Sequence, residues 1–146
     1  MGMFSKSCEY GIKAMICISQ YSAKGQRIKL TELAKEIDAP EPFMAKILQE
    51  LSRKNIVQSM KGPTGGFFLD KKHLKTSLAV IVKAIDGESL FNDCVLGLKL
   101  CSHKTPCPVH DEYTGIKKNL IKMMESNTLG EIRETLDTNK FFLKNG

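Results

Sequence analysis

Apolar residues between Ser5 and Ser22 fall on two stripes, Cys8, Ile12, Met15, Ile16 and Ser19 on one and Tyr10, Ala14, Cys17, Ile18 and Tyr21 on the other. A helix with this pattern is apolar on two sides and has to be wedged between partners. Ala23-Lys24-Gly25-Gln26 breaks the pattern. Ile28-Lys29-Leu30 then reads as a short strand, and Thr31 as the N-cap of a helix from Glu32 to Ile37. Asp38-Ala39-Pro40-Glu41-Pro42 makes a tight turn, because proline fixes its own φ and suits the first turn of a following helix. That helix runs to about Lys54. Met44, Ile47, Leu48 and Leu51 share its inner face, while Phe43, Lys46, Gln49, Glu50 and Arg53 point away.

Two short helices joined by a tight turn outline a helix-turn-helix. Residues 56–61 and 67–69 read as strands around Gly62-Pro63-Thr64-Gly65-Gly66, whose glycines permit positive φ, and so form a hairpin wing. Thr76 is the expected cap of a helix carrying Leu78, Val80, Ile81, Val82 and Ile85, ended by Asp86-Gly87. Periodicity disappears from Asn92 to Val109. It returns as Val109, Tyr113, Ile116, Leu120 and Met123, a heptad-like seam that needs a partner helix, most economically from a second copy of the chain. Thr128-Leu129-Gly130-Glu131 has the order of a capping box for a last helix through Leu136, and Phe141-Phe142-Leu143 requires cover.

The expected fold is therefore mainly α with a small β-hairpin: a winged helix-turn-helix followed by a long C-terminal dimerisation helix. The expected divisions are a winged helix-turn-helix over 1–75, a connecting helix over 76–91, a cysteine-rich sensor loop over 92–110, and the dimerisation and C-terminal helices over 111–146. At 146 residues and 42% hydrophobic content the chain can bury one core without disulfides. No apolar run approaches the ~20 residues of a membrane span, and the N-terminus lacks the order of a signal peptide, so a cytoplasmic protein is expected.

A formal charge of +6 favours an anionic partner. A helix that fits the major groove and cations that hold phosphates are what DNA reading requires. Glu41, Phe43 and Lys46 sit at the start of the second helix of the pair, Lys61 at the base of the wing and Thr64 at its tip. Arg53, Lys54, Lys71, Lys72 and Lys75 are candidates for phosphate contacts. A winged helix also serves as a protein-binding module, and lysines are ordinarily solvated. No phosphate-binding glycine loop, nucleophile elbow or His-Glu-x-x-His is present, so the chain is not expected to be an enzyme and no small-molecule substrate is expected.

Cys94, Cys101 and Cys107 lie within fourteen residues of non-periodic sequence, followed by His110. Thiolates and imidazole are ligands for zinc or for iron-sulfur centres. Zinc on Cys94, Cys101, Cys107 and His110 is the less favoured of the two, because structural zinc sites usually contain a close Cys-x2-4-Cys pair and none occurs here. A thiol switch, in which two of the three cysteines form a disulfide, stays open, as does a zinc-stabilised protein-interaction module. Cys8 and Cys17, on the first helix, read as core residues.

These motifs together resemble the Rrf-two family of bacterial winged-helix regulators, which includes IscR-like and NsrR-like iron-sulfur members. The resemblance rests on Cys8-Glu9-Tyr10-Gly11-Ile12-Lys13-Ala14-Met15, on Ile47-Leu48-Gln49-Glu50-Leu51, on Lys61-Gly62-Pro63-Thr64-Gly65-Gly66-Phe67 and on the cysteine triplet. It implies a homodimer that binds a palindromic double-stranded DNA operator, with repression the commoner role. It also implies an iron-sulfur cluster of two or four irons on Cys94, Cys101 and Cys107. The fourth ligand is implied to be His110, as in IscR-like members, or Glu9 supplied by the other subunit, as in NsrR-like ones; His110 is favoured because it needs no help from the dimer. The first cysteine gap holds six residues where the cluster-binding pattern has five, and some members bind no cluster. DNA contacts implied by the family fall at Pro42, Phe43, Lys46, Lys61, Thr64 and Gly65. Pro42 departs from the small hydroxyl residue common in the iron-sulfur members, so their operator sequence does not transfer.

Overall fold

Both apolar stripes of the first helix find partners. The computed structural model describes residues 3–138 and residue 143. Its elements are α1 (Lys6–Ala23), α2 (Leu30–Glu36), α3 (Glu41–Arg53), β1 (Gln58–Met60), β2 (Gly66–Phe68), a 3-10 turn (Lys71–Lys75), α4 (Leu78–Asp86), α5 (Ser89–Asn92), α6 (His110–Ser126) and α7 (Leu129–Asp137). Ser5 starts α1 by accepting the Cys8 amide at 3.0 Å. Ala14, Met15, Ile16, Cys17 and Ile18 are buried in succession, because α1 packs against α2, α3, α4 and α7 at once. Gly11 permits this crowding: a Cβ there would lie 2.3 Å from Ile85 Cδ1. Cys8 and Cys17 are buried, as core residues should be.

The helix-turn-helix is α2 and α3. Each ends in a residue with positive φ, Asp38 at 55° and Asn55 at 60°. Ala39 donates to the Ala34 carbonyl at 2.9 Å and Ile56 to the Leu51 carbonyl at 2.9 Å, so both helices close with the same wrapped carbonyl. Asp and Asn are the non-glycine residues best suited to that conformation. The start of α2 differs from the sequence expectation. Of the three residues only Ile28 pairs with the wing, bridging Phe67 through bonds of 3.1 and 2.8 Å. Leu30 already belongs to the helix, where it packs against the core. Thr31 is not the cap; its hydroxyl donates to Glu41 Oε1 at 3.3 Å, joining α2 to the start of α3.

The wing is an antiparallel pair in the register Gln58↔Phe68, Ser59↔Phe67 and Met60↔Gly66. The ladder is shorter than the apolar run because Ile56 and Val57 enter the core instead. Ser77, not Thr76, caps α4, since a 3-10 turn held by reciprocal Asp70 and His73 bonds occupies the preceding residues. Thr76 accepts the Leu129 amide at 3.0 Å and Leu78 donates to the Asn127 carbonyl at 3.0 Å, tying the starts of α4 and α7 together. Thr128 caps α7 by accepting the Glu131 amide at 3.3 Å.

A second cluster, of Cys8, Ala79, Val82, Phe91 and Met124, joins α6 to α4. The seam expected along α6 is divided. Leu120 packs against this cluster, whereas Ile116 and Met123 remain 60% and 42% exposed. Leu143 packs against the main core; Phe141 and Phe142 lie outside the described residues.

Candidate metal centre and nucleic-acid interface

Three of the four clustered ligand candidates converge because the chain folds back between α5 and α6. Gly97, at φ 74°, donates to the Cys94 carbonyl at 2.9 Å and makes the first bend. The Ser102 hydroxyl accepts the Lys104 and Thr105 amides, each at 3.2 Å, and makes the second. The Sγ atoms of Cys94, Cys101 and Cys107 then lie within 4.8 Å of one another, those of Cys94 and Cys107 being 3.7 Å apart. His110, the first residue of α6, joins from one side, its Nδ1 3.2 Å from Cys101 Sγ. Its Nε2 is buried without a partner among the described residues, and the His103 ring stands edge-on to it at 5.0 Å. Asn92, Val95, Tyr113, Thr114 and Lys117 complete the lining of a cavity of about 50 Å³, and the Lys117 ammonium donates to the Asp93 carbonyl at 3.1 Å.

The thiols do not titrate alike. The backbone amide of Leu98, helped by that of Leu96 and by the neighbouring thiols, holds Cys94 at about 7 against the usual 9.0. For Cys101 the Cys107 amide favours the thiolate, but burial and the thiols of Cys94 and Cys107 outweigh it and push the pKa up. One negative charge is thus accommodated readily and a second is resisted, as in a site that needs a cation to hold several thiolates together.

The donor chemistry fits both zinc and an iron-sulfur cluster. For a single tetrahedral ion, bonds of ~2.3 Å place two sulfurs ~3.8 Å apart, close to the 3.7 Å between Cys94 and Cys107. In a two-iron cluster two ligands would likewise share one iron, a role that the pair of Cys94 and Cys107 could fill, with Cys101 and His110 left for the other. Glu9 is not among the converging groups; it lies on α1, 3.4 Å from the Lys6 ammonium.

The other candidates lie on α3 and the wing. Glu41, Pro42, Phe43 and Lys46 are exposed in the first two turns of α3, and Lys61 and Thr64 are exposed on the wing. Gly65 is buried; a Cβ on it would lie 2.0 Å from the Met60 carbonyl oxygen, so this residue shapes the turn. Phe43 stands edge-on to Tyr10, the centroids 5.9 Å apart. Of the candidate phosphate-binding cations, Lys71, Lys72 and Lys75 are exposed on the 3-10 turn. Arg53 pairs with Glu50, and Lys54 bonds both Glu50 Oε1, at 3.2 Å, and the Ala84 carbonyl, at 2.7 Å.

Sequence reasoning missed Arg27. Its guanidinium donates to the Thr64 carbonyl at 3.4 Å and lies 5.3 Å from the Phe68 ring, bracing the wing from the loop before α2. Hydrophobic periodicity carries no trace of such a contact. The only available signal was an arginine beside the extended Ile28.

Residues 4–135 match the family model described as Rrf2, iron-dependent transcriptional regulator. A putative HTH-type transcriptional regulator of Aquifex aeolicus is 30% identical over 133 residues, covering 89% of this chain and 90% of the relative. The HTH-type transcriptional regulator IscR of Pectobacterium carotovorum is 22% identical over 131 residues, covering 88% and 79%. Among solved structures, CymR, the global cysteine regulator of B. subtilis, superposes with a TM-score of 0.77 at 18% identity, covering 92% of this chain and 98% of CymR. T. potens IscR superposes with a TM-score of 0.74 at 19% identity, covering 97% and 93%. At such identities the superpositions speak for the winged-helix fold alone, whereas the family match spans nearly the whole sequence. The chain belongs to the Rrf2 family of transcriptional regulators, which are not enzymes.

Proposed function

We propose that this protein is a cytoplasmic homodimeric regulator that binds a palindromic double-stranded DNA operator and senses redox, iron-sulfur status or nitric oxide through a cluster held by Cys94, Cys101, Cys107 and His110. The observation that carries the sensing is the convergence of three sulfurs within 4.8 Å in a loop that leads directly into α6. The family description as iron-dependent and the IscR relatives support iron over other metals. When bound, the cluster supplies a centre that responds to oxidation or to nitric oxide. His110 is preferred to Glu9 as fourth ligand because its Nδ1 already meets Cys101. A partner subunit's α1 supplying Glu9 is the alternative.

The chain's own residues connect that loop to the reader. His110 starts α6, Lys117 fastens α6 to Asp93, α6 packs on α4, and α4 packs on both α1 and α3. Ligation restrains the 92–110 loop and the start of α6. It changes operator affinity only as far as the restrained arrangement is the one that fits, or misfits, DNA. The reading assigns residues 1–75 to DNA binding, 76–91 to the connection, and 111–146 to dimerisation and the C-terminal helix. Base and groove contacts are assigned to Glu41, Pro42, Phe43, Lys46, Lys61 and Thr64, with Gly65 at the wing edge, and repression is the outcome.

One observation favours a second reading. The 3.7 Å between Cys94 and Cys107 is close to the separation of two thiolates sharing one zinc ion. Protein purified without oxygen, assayed for visible absorption, iron, sulfide and zinc, separates the two. Brown protein containing iron and sulfide, bleached by Cys101→Ala, supports the cluster. Colourless protein that stays so after anaerobic reconstitution overturns it, leaving the zinc reading if zinc is found and a thiol switch if it is not.

A further inference from the structure

Phe43 is the third residue of α3, and its side chain stays 44% exposed beside an inner face filled by Met44, Ile47, Leu48 and Leu51. The ring is nevertheless held. Tyr10 of α1 meets it edge-on, with the planes at 78°, and the Lys6 ammonium lies 5.5 Å from the centre of the Tyr10 ring. Pro42 precedes it in the first turn and stiffens the backbone there. Lys46, one turn further on, is exposed and charged, as is Glu41 at the first position of the helix. The ring is thus an exposed apolar group at the start of the helix, with Pro42 beside it and charged side chains on the same exposed stretch.

To an α-helix the major groove offers one apolar feature that distinguishes bases, the 5-methyl group of thymine. We propose that Phe43 is the thymine-reading residue of this protein, its exposed ring covering the methyl group of one thymine in each half-site. Tyr10 is the positioning residue that keeps the ring in place before DNA arrives. The inference rests on the DNA-binding reading of α3 and adds to it the base that is read and the chemistry that reads it. Burial of one methyl group favours thymine over uracil by about fourfold per half-site, and by about fifteenfold when a dimer reads two.

The test begins with the full-length protein, used to select tight-binding duplexes from a random pool. Each thymine of the selected site is then replaced singly by deoxyuridine, which removes the methyl group and leaves every hydrogen-bonding group in place. One position per half-site is expected to lose about fourfold in wild-type affinity. Phe43→Ala is expected to bind the thymine and uracil duplexes equally at that position, and Phe43→Leu, apolar but without the flat ring, to retain about twofold. Tyr10→Leu is expected to lower the discrimination while far-ultraviolet circular dichroism stays unchanged. Circular dichroism also checks that each Phe43 variant folds, and the leucine variant decides if the alanine one does not. The proposal is overturned if no thymine in the half-site shows the loss, or if the Phe43 variants keep the full wild-type preference. Failure of the wild-type protein to enrich any sequence would instead overturn the DNA-binding reading on which the proposal stands.

Discussion

Cys94 and Cys8 carry the same thiol in opposite surroundings. The Leu98 amide holds Cys94 at about 7, whereas burial, with the Asp86 carboxylate adding to it, pushes Cys8 up to about 12. The thiolate is the nucleophile, so in metal-free protein the reactive fraction of Cys94 grows as pH rises through 7 and falls below it. Iodoacetamide labelling read by peptide mass spectrometry should show Cys94 half-maximally reactive near pH 7 and Cys8 unlabelled while the protein is folded. Half-maximal labelling near 9.0, the ordinary thiol value, would remove the amide cradle from the account. Arg27 makes a second prediction at this scale. An exposed cation over an aromatic ring contributes about 0.5–1 kcal/mol, so Arg27→Ala should weaken operator binding by about threefold through a looser wing. The slope of affinity against salt should stay constant, because the guanidinium acts on Thr64 and Phe68. A slope reduced by about one would make Arg27 a phosphate contact instead.

At the scale of elements, the wing depends on its seam with Ile28. Gly66 has φ 140°, and a Cβ on it would lie 2.7 Å from the Ile28 carbonyl oxygen. Gly66→Ala therefore combines backbone strain with a collision against backbone that cannot swing away. It should cost about 1–3 kcal/mol in urea unfolding and weaken operator binding; a variant as stable as wild type would contradict the seam. The helices themselves were legible because burial follows period: the four apolar residues of α3 predicted in sequence are the four that are buried. The ends were less legible. Adjacent hydroxyl residues Thr76 and Ser77 look equally fit to cap α4, and only the turn before them decides for Ser77. The strand read at 28–30 shrank to Ile28, because one residue reaches Phe67 while Leu30 is already drawn into the core.

At the scale of the whole molecule, spacing in sequence announced the three clustered cysteines, but proximity came from bends at Gly97 and Ser102 that no period encodes. The alternative role proposed for Glu9 belongs to the same class, since a ligand supplied across a dimer has no signature within one chain. The proposed dimer is assigned to α6, where Ile116 and Met123 stay exposed on a helix that packs against α4 through Leu120 and Met124. Wild-type protein should sediment at twice the chain mass of 16.3 kDa. Ile116→Glu should shift it to the single-chain mass and abolish tight operator binding, because a monomer reads half a palindrome. An Ile116→Glu protein that remains dimeric would move the interface off this face.

The coupling between the cysteine loop and the reader helix is the centre of the account, and an operator titration tests it most directly. Protein purified without oxygen is titrated as isolated, after chelation that removes its metal, and as the Cys101→Ala variant, with metal content assayed on each sample. The account predicts that the loaded protein differs in operator affinity from the other two by about tenfold or more, a coupling of about 1.4 kcal/mol. Equal affinities across loaded, stripped and variant protein would contradict it, reducing the cysteine site to a structural element of a regulator that senses by other means.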